Sequence, residues 1–138
     1  MKQKNKHIFV FGIFAVDLSF YVDKKVNPGE TIIAKSSNIG PGGKASNQAI
    51  SARKLGASTT LITRLGNDNF NSYANSIWRR EKLFASTKID KNLPTGMAGI
   101  FIDNKTGENS VIVDPGASAH LSIDDFYLQK SKMKKGDI

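Results

Sequence analysis

The sequence predicts an α/β fold built on a parallel sheet, and three observations carry that prediction. Ile8-Phe9-Val10-Phe11-Gly12 is a compact apolar run closed by glycine, the pattern of a strand buried on both faces. Gly40-Pro41-Gly42-Gly43 cannot be helix interior, yet it leads into a segment where Ala45, Ala49, Ala52 and Leu55 recur at near-helical spacing. Thr59 to Leu65 then forms a second β-rich run, so strand, helix and strand follow one another and a right-handed crossover between parallel strands is expected. A chain of 138 residues, 39% hydrophobic and 23% charged, suffices for one domain that buries about two thirds of its unfolded surface. It contains no cysteine, which excludes disulfides, thiolate catalysis and Cys-ligated zinc.

The elements follow in order. After the strand at Ile8, Leu18 to Val22 and Thr31 to Ser36 are shorter extended runs separated by a turn containing Pro28-Gly29, which predicts an inserted antiparallel pair. The helix from Lys44 to Leu55 stops at Gly56. Asp68 is a helix cap for a second helix whose Phe70, Tyr73, Ala74, Ile77 and Trp78 share one face while Arg79, Arg80 and Lys82 face outward. Trp78 reads as a core anchor. Met97 to Asp103 and Ser110 to Asp114 flank Asn104-Lys105-Thr106-Gly107-Glu108, a hairpin signature. A last helix is expected from Asp124 to about Ser131 with Ser122 as its cap, and Lys134-Lys135-Gly136-Asp137-Ile138 reads as a helix exit and the first residue of another strand.

The net charge of +8 invites a nucleic-acid function, but its distribution argues against one. Residues 1–6 hold Lys2, Lys4 and Lys6 without an acid, and residues 130–138 hold four lysines against Asp137, so each end carries +3 and the body only +2. No aromatic residues interleave these lysines as they do in nucleic-acid readers. No apolar run approaches membrane-spanning length, and Asp17 stands where a signal-peptide cleavage site would need small residues. The expectation is a cytoplasmic protein with neither nucleic-acid nor membrane partners.

The glycine loop invites several ligands, because a helix start presents unpaired N–H groups and glycine lets a ligand approach the backbone. A Walker loop fails, since Asn38 and Ala45 occupy its required Gly and Ser/Thr positions. Gly40 to Ala45 satisfies a dinucleotide pattern, but no acid follows about 20 residues on to bind a ribose. Taken singly, Asp17 reads as a strand-end carboxylate, Lys44 as a solvated helix-start residue and Asn47 as a first-turn residue bonded to backbone.

The longer run is more specific. Gly42-Gly43-Lys44-Ala45-Ser46-Asn47-Gln48-Ala49 is followed by Gly56 seven positions after Ala49 and Gly66 ten positions later. This resembles the amino-terminal signature of the ribokinase-like (PfkB-type) carbohydrate kinases. Gly12 through Asp17, Pro28-Gly29-Glu30-Thr31, Gly66-Asn67-Asp68, Thr95-Gly96, Gly107-Glu108-Asn109 and Gly116-Ala117 also look like ribokinase landmarks, so the resemblance covers nearly the whole chain from Ile8. It implies a ribokinase-like parallel sheet with flanking helices plus a small antiparallel β lid, whose strands lie at about 18–36 and 97–113. The lid closes over the sugar in this family and often mediates dimerisation. Carried over, Asp17 accepts hydrogen bonds from sugar hydroxyls, Gly42 and Gly43 permit backbone approach, and Lys44 and Asn47 donate to the acceptor, with Ala98, Ile100 and Val113 as an apolar lid wall. A carboxylate, an amide and an ammonium from different elements are what a ring of hydroxyls requires. Two positions depart: Ala15 stands where ribokinases usually carry Asn, and Ser118 replaces a frequent Asn. The substrate implied is a pentose, hexose or nucleoside, with Lys44 favouring the ribokinase branch.

The resemblance also implies ATP and Mg2+ for the complete enzyme, and a catalytic Asp in a Gly-Ala-Gly-Asp loop that these 138 residues do not contain. The expectation is therefore the amino-terminal part of one kinase domain, residues 1–138, carrying the acceptor-sugar face and inactive alone. An open sheet edge predicts self-association. The alternatives are a non-catalytic sugar-binding or oligomerisation module and, less favoured, a dinucleotide-binding domain.

Overall fold

The computed structural model describes residues 6–135 and 137–138. Two sheets share one core. The first is parallel, in the order β1–β4–β5, with β1 at His7–Phe11, β4 at Ser58–Gly66 and β5 at Phe84–Asp90. The second contains β2 (Ala15–Val22), β3 (Ser36–Gly42), β6 (Thr95–Asp103) and β7 (Asn109–Gly116), in the order β3–β2–β6–β7. Two antiparallel pairs, β2–β3 and β6–β7, meet in it along a parallel β2–β6 seam.

Helix α1 (Lys44–Lys54) joins β3 to β4 and stops at Gly56, whose φ of +90° suits a residue without Cβ. Helix α2 (Asn69–Arg80) joins β4 to β5, and its cap is the expected one: Asp68 accepts from the Asn71 amide at 3.0 Å. Phe14, Val16, Ala45, Ala49, Leu61, Leu65, Ala74, Ile77 and Trp78 form the core between the sheets and these helices. Trp78 is its anchor, edge-on to Phe14 with ring centroids 5.2 Å apart and donating its indole N–H to Ser46 Oγ at 3.2 Å.

Three elements differ from expectation. The strand expected at Thr31–Ser36 instead runs from Ser36 to Gly42, because Leu18 pairs with Ile39 and Asp17 with Gly40. Its Gly and Pro content hides it, yet β3 is an edge strand, where Pro41 removes no needed ladder bond. Strand β5 lacks any strong apolar alternation and is formed by pairing with β4.

The last helix, α3 (Ile123–Tyr127), is shorter than expected and gives way to a 3₁₀ turn at Lys130–Lys132. Ser122 caps it in a reciprocal box with Asp125. At the end of the chain Ile138 donates to the His7 carbonyl at 3.0 Å and accepts from the Phe9 amide at 2.8 Å, the pattern of a parallel neighbour for β1. Gly136 and the amino-terminal Lys2 and Lys4 lie outside the described residues.

Asp125 also reaches beneath the parallel sheet. Its carboxylate, 3% exposed, accepts from Arg64 Nε at 2.8 Å, with Lys88 at 3.9 Å. Burial alone pushes this carboxyl up, but the Arg64 guanidinium and the Ser122 amide outweigh burial and hold it below the usual range. Arg64→Met should therefore destabilise the fold by about 2 kcal/mol at pH 7, less than the ~3–5 kcal/mol of a fully orphaned pair because Lys88 remains. A depressed carboxyl stabilises above its unfolded pKa of about 3.9 and loses that contribution as pH falls through its folded value. The difference from the parent protein should accordingly shrink at pH 3, and urea melts that show the same difference at both pH values would contradict this.

Candidate functional site

The site forms where β3 hands over to α1 against the start of β2. Asp17 lies between Gly40 of β3 and Ala98 of β6. Its carboxylate occupies the space beside Gly42: a Cβ there would lie 2.0 Å from Oδ1 and 2.4 Å from Cγ. The next glycine is constrained by backbone rather than side chain. Gly43 has φ +84°, and a Cβ on it would lie 2.4 Å from the Ile13 carbonyl and 2.7 Å from the Phe14 Cα. The two glycines let the strand-to-helix junction press directly onto residues 13–17.

Helix α1 begins there without a side-chain cap and without an acid in its first turn. Lys44 and Asn47, three residues apart and therefore on one helix face, are both exposed, while Ala45 and Ser46 between them are buried. A lysine in the first turn opposes the helix dipole, so local helix stability does not account for its placement. Asp17 is half-buried, and burial pushes its carboxyl above the ordinary range. The junction thus combines a partly desolvated carboxylate, an ammonium, an amide and uncapped backbone N–H groups.

Register places the expected apolar wall on the same side of the sheet. Asp17 is opposite Ala98, Ala98 is opposite Val113, and Ser19 is opposite Ile100, so these side chains share the Asp17 face. Ala98 is buried, Ile100 half-buried and Val113 54% exposed.

The two departures from the expected pattern have structural explanations. Ala15 is 4% exposed beside Gly42, where its methyl packs and offers no polar atom. Ser118 is buried and its hydroxyl reaches the carbonyls of Arg64 at 3.0 Å and Phe14 at 3.3 Å, tying β4 to the entry of β2.

One positioning cluster is not evident from residue types alone. Asp68, besides capping α2, accepts from the Thr95 amide at 2.7 Å and hydroxyl at 2.8 Å, and Thr95 Oγ1 accepts from the Gly66 amide at 3.0 Å. These bonds fasten the first residue of β6 to the parallel sheet. Burial pushes the Asp68 carboxyl up, and the Thr95 and Asn71 donors more than reverse that. The Gly66-Asn67-Asp68 spacing was the available signal, but a helix cap alone accounted for the aspartate.

Ribokinase of Dictyostelium discoideum is 33% identical over 133 residues, which cover 96% of this chain and 42% of that protein. Deoxyribokinase of Salmonella typhi is 34% identical over 131 residues, covering 93% and 42% respectively. The chain thus spans about two fifths of the length of these relatives. Among solved structures, ribokinase from Giardia lamblia superposes with a TM-score of 0.84 at 28% identity, over 92% of this chain and 41% of that one. Arabidopsis thaliana ribokinase, solved with ribose and ATP, gives 0.69 at 27% identity, over 83% and 37%. The pattern of the pfkB family carbohydrate kinases matches residues 5–138, essentially the whole sequence, and the chain therefore belongs to that family.

Proposed function

We propose that this chain is the amino-terminal part of an ATP-dependent sugar kinase and supplies the surface that holds the acceptor sugar. The observation that carries this reading is the Asp17 carboxylate lodged against Gly42 beside the exposed Lys44 and Asn47. Asp17 accepts from sugar hydroxyls, Lys44 and Asn47 donate to them, and Gly42 and Gly43 allow the ring to approach the backbone. Ala98, Ile100 and Val113 cover its apolar face, and the second sheet excludes water from the transfer. The Ala15 methyl removes one polar contact to the ring, so a sugar lacking one hydroxyl, such as a deoxypentose, fits better than ribose.

In the overall reaction a sugar hydroxyl attacks the γ-phosphorus of ATP, the bond to the β-phosphate oxygen breaks, ADP departs and the hydroxyl proton is removed by a base. Residues of this chain account for acceptor binding alone. No group of three His, Asp or Glu side chains suited to a cation occurs among the described residues, and no Gly-Ala-Gly-Asp run occurs in the sequence. The chain spans about two fifths of its relatives' length, and in this reading the nucleotide, Mg2+ and catalytic base are held by the remainder of such a kinase domain.

Titration calorimetry with D-ribose, 2-deoxy-D-ribose, D-fructose and adenosine tests the proposal. Millimolar or tighter binding of at least one sugar is expected, without sugar-dependent ADP release in a coupled assay. Asp17→Asn should weaken that binding about tenfold, the loss of a charge-assisted hydrogen bond. Because burial already penalises the ionised carboxyl, the same change should leave the melting temperature equal or higher. Unaltered sugar affinity in the variant, or steady ADP release by the parent chain, would count against the reading.

A further inference from the structure

Lysines near the carboxy-terminal end of the sequence lie at the opposite end of the parallel sheet from the sugar site. Ile138 pairs with His7 and Phe9, which brings the carboxy-terminal lysines to the start of β1. A cavity of about 720 Å³ opens there. Its lining includes His7, Ser58, Thr60 and Phe84, all at or near the starts of the three parallel strands. Four cationic side chains, Arg53, Lys82, Lys132 and Lys134, line it against a single acid, Asp137.

That acid offsets only part of this charge. Asp137 accepts from the backbone amides of His7 at 3.1 Å and Lys134 at 2.8 Å. None of the four cations forms an ion pair among the described residues. Arg53 is turned to the carbonyls of Lys82 and Ala57, and the Lys132 ammonium stands 5.3 Å over the Phe84 ring. The residues preceding Lys6 include Lys2 and Lys4 and no Asp or Glu, so none of their side chains supplies a carboxylate. The excess of positive charge left around this concave surface raises the local concentration of anions.

We infer that this cavity is a binding site for a compact polyanion carrying two or more phosphate groups. Its volume matches a small-molecule site rather than the extended track of a nucleic-acid backbone. The ammonium groups of Lys82, Lys132 and Lys134 supply the charge, and the hydroxyls of Ser58 and Thr60, each bonded to a ring nitrogen of His7, supply neutral partners. Strand β1 rises about 17 Å from His7 to Gly12, so a ligand here does not compete with one at Gly43.

The test is calorimetric titration of the whole chain with tripolyphosphate at low salt, with amide chemical shifts followed by NMR. One equivalent should bind, the affinity should fall steeply with added salt, and shifts should cluster at Gly56, Ser58, Thr60 and Lys82. The triple variant Lys82→Gln, Lys132→Gln, Lys134→Gln should bind at least about tenfold more weakly. A control that removes equal charge elsewhere, Lys25→Gln, Lys91→Gln, Lys105→Gln, should change affinity less than about threefold. Equal weakening in both variants, shifts centred on Gly43 to Asn47, or tighter binding to a 20-base-pair DNA duplex than to tripolyphosphate would overturn the proposal.

Discussion

Replacing Trp78 with alanine should lower the unfolding free energy by about 3–5 kcal/mol, a large share of the roughly 5–15 kcal/mol by which single domains are stable. The indole is 2% exposed, packs edge-on against Phe14 and satisfies its N–H on Ser46, which is itself fully buried in α1. Alanine would leave a cavity between α1, α2 and the entry of β2, and would orphan the Ser46 hydroxyl. Because Phe14 and Val16 carry the core into the second sheet, the damage should reach the Asp17 face as well as α2. Chemical denaturation would measure the effect, and Trp78→Phe should recover part of the loss by refilling the ring volume. A loss below about 1 kcal/mol would mean that the core does not depend on this contact.

Gly43→Ala should be nearly as damaging, and for a different reason. Its φ of +84° is strained for alanine, at about 1–3 kcal/mol, and the new methyl would meet the Ile13 carbonyl and Phe14 Cα well inside contact distance. Backbone cannot rotate away as a side chain tip can, so the β3–α1 junction must move off residues 13–15. We expect a loss of about 3 kcal/mol or more, together with loss of sugar binding, because Lys44 and Asn47 move with the junction. Gly56→Ala is the internal comparison. Gly56 has a similar φ of +90° but nothing within 4 Å of the added Cβ, so it should show only the conformational part, about 1 kcal/mol. If thermal melts of the two variants coincide, the close approach at Gly43 is not the controlling term.

Much of the architecture was legible because it rests on local signals. The apolar run at β1, the β-branched run at β4, the Asp68 cap and the Gly107 hairpin turn act over a few residues, and each lies where expected. Elements held by partners were not legible. Strand β3 carries Gly40, Pro41 and Gly42, poor strand formers, and exists because β2 supplies its ladder and the Asp17 carboxylate needs the space beside Gly42. Strand β5 depends on β4 in the same way. At the candidate site, the family resemblance implied Asp17, Gly42, Gly43, Lys44 and Asn47, which residue types taken singly did not single out, while the role of Thr95 in holding β6 to Asp68 required a contact across 27 positions.

Composition made this a cysteine-free chain, its apolar runs and glycine-led helix predicted an α/β fold, and the glycine spacing from Gly42 to Gly66 pointed to its family, since all are properties of the linear sequence. Charge is the instructive case. Sequence alone assigned +6 of the +8 to two ends that looked like separate solvated tails, with no consequence for function. Only the tertiary structure decided that the carboxy-terminal lysines stand with Arg53 and Lys82 around one cavity, because the hydrogen bonds of Ile138 to β1 close a loop of more than 120 residues. Electrostatic energy depends on distance through space. That distance is set by sheet pairing, and a linear count of charges does not contain it.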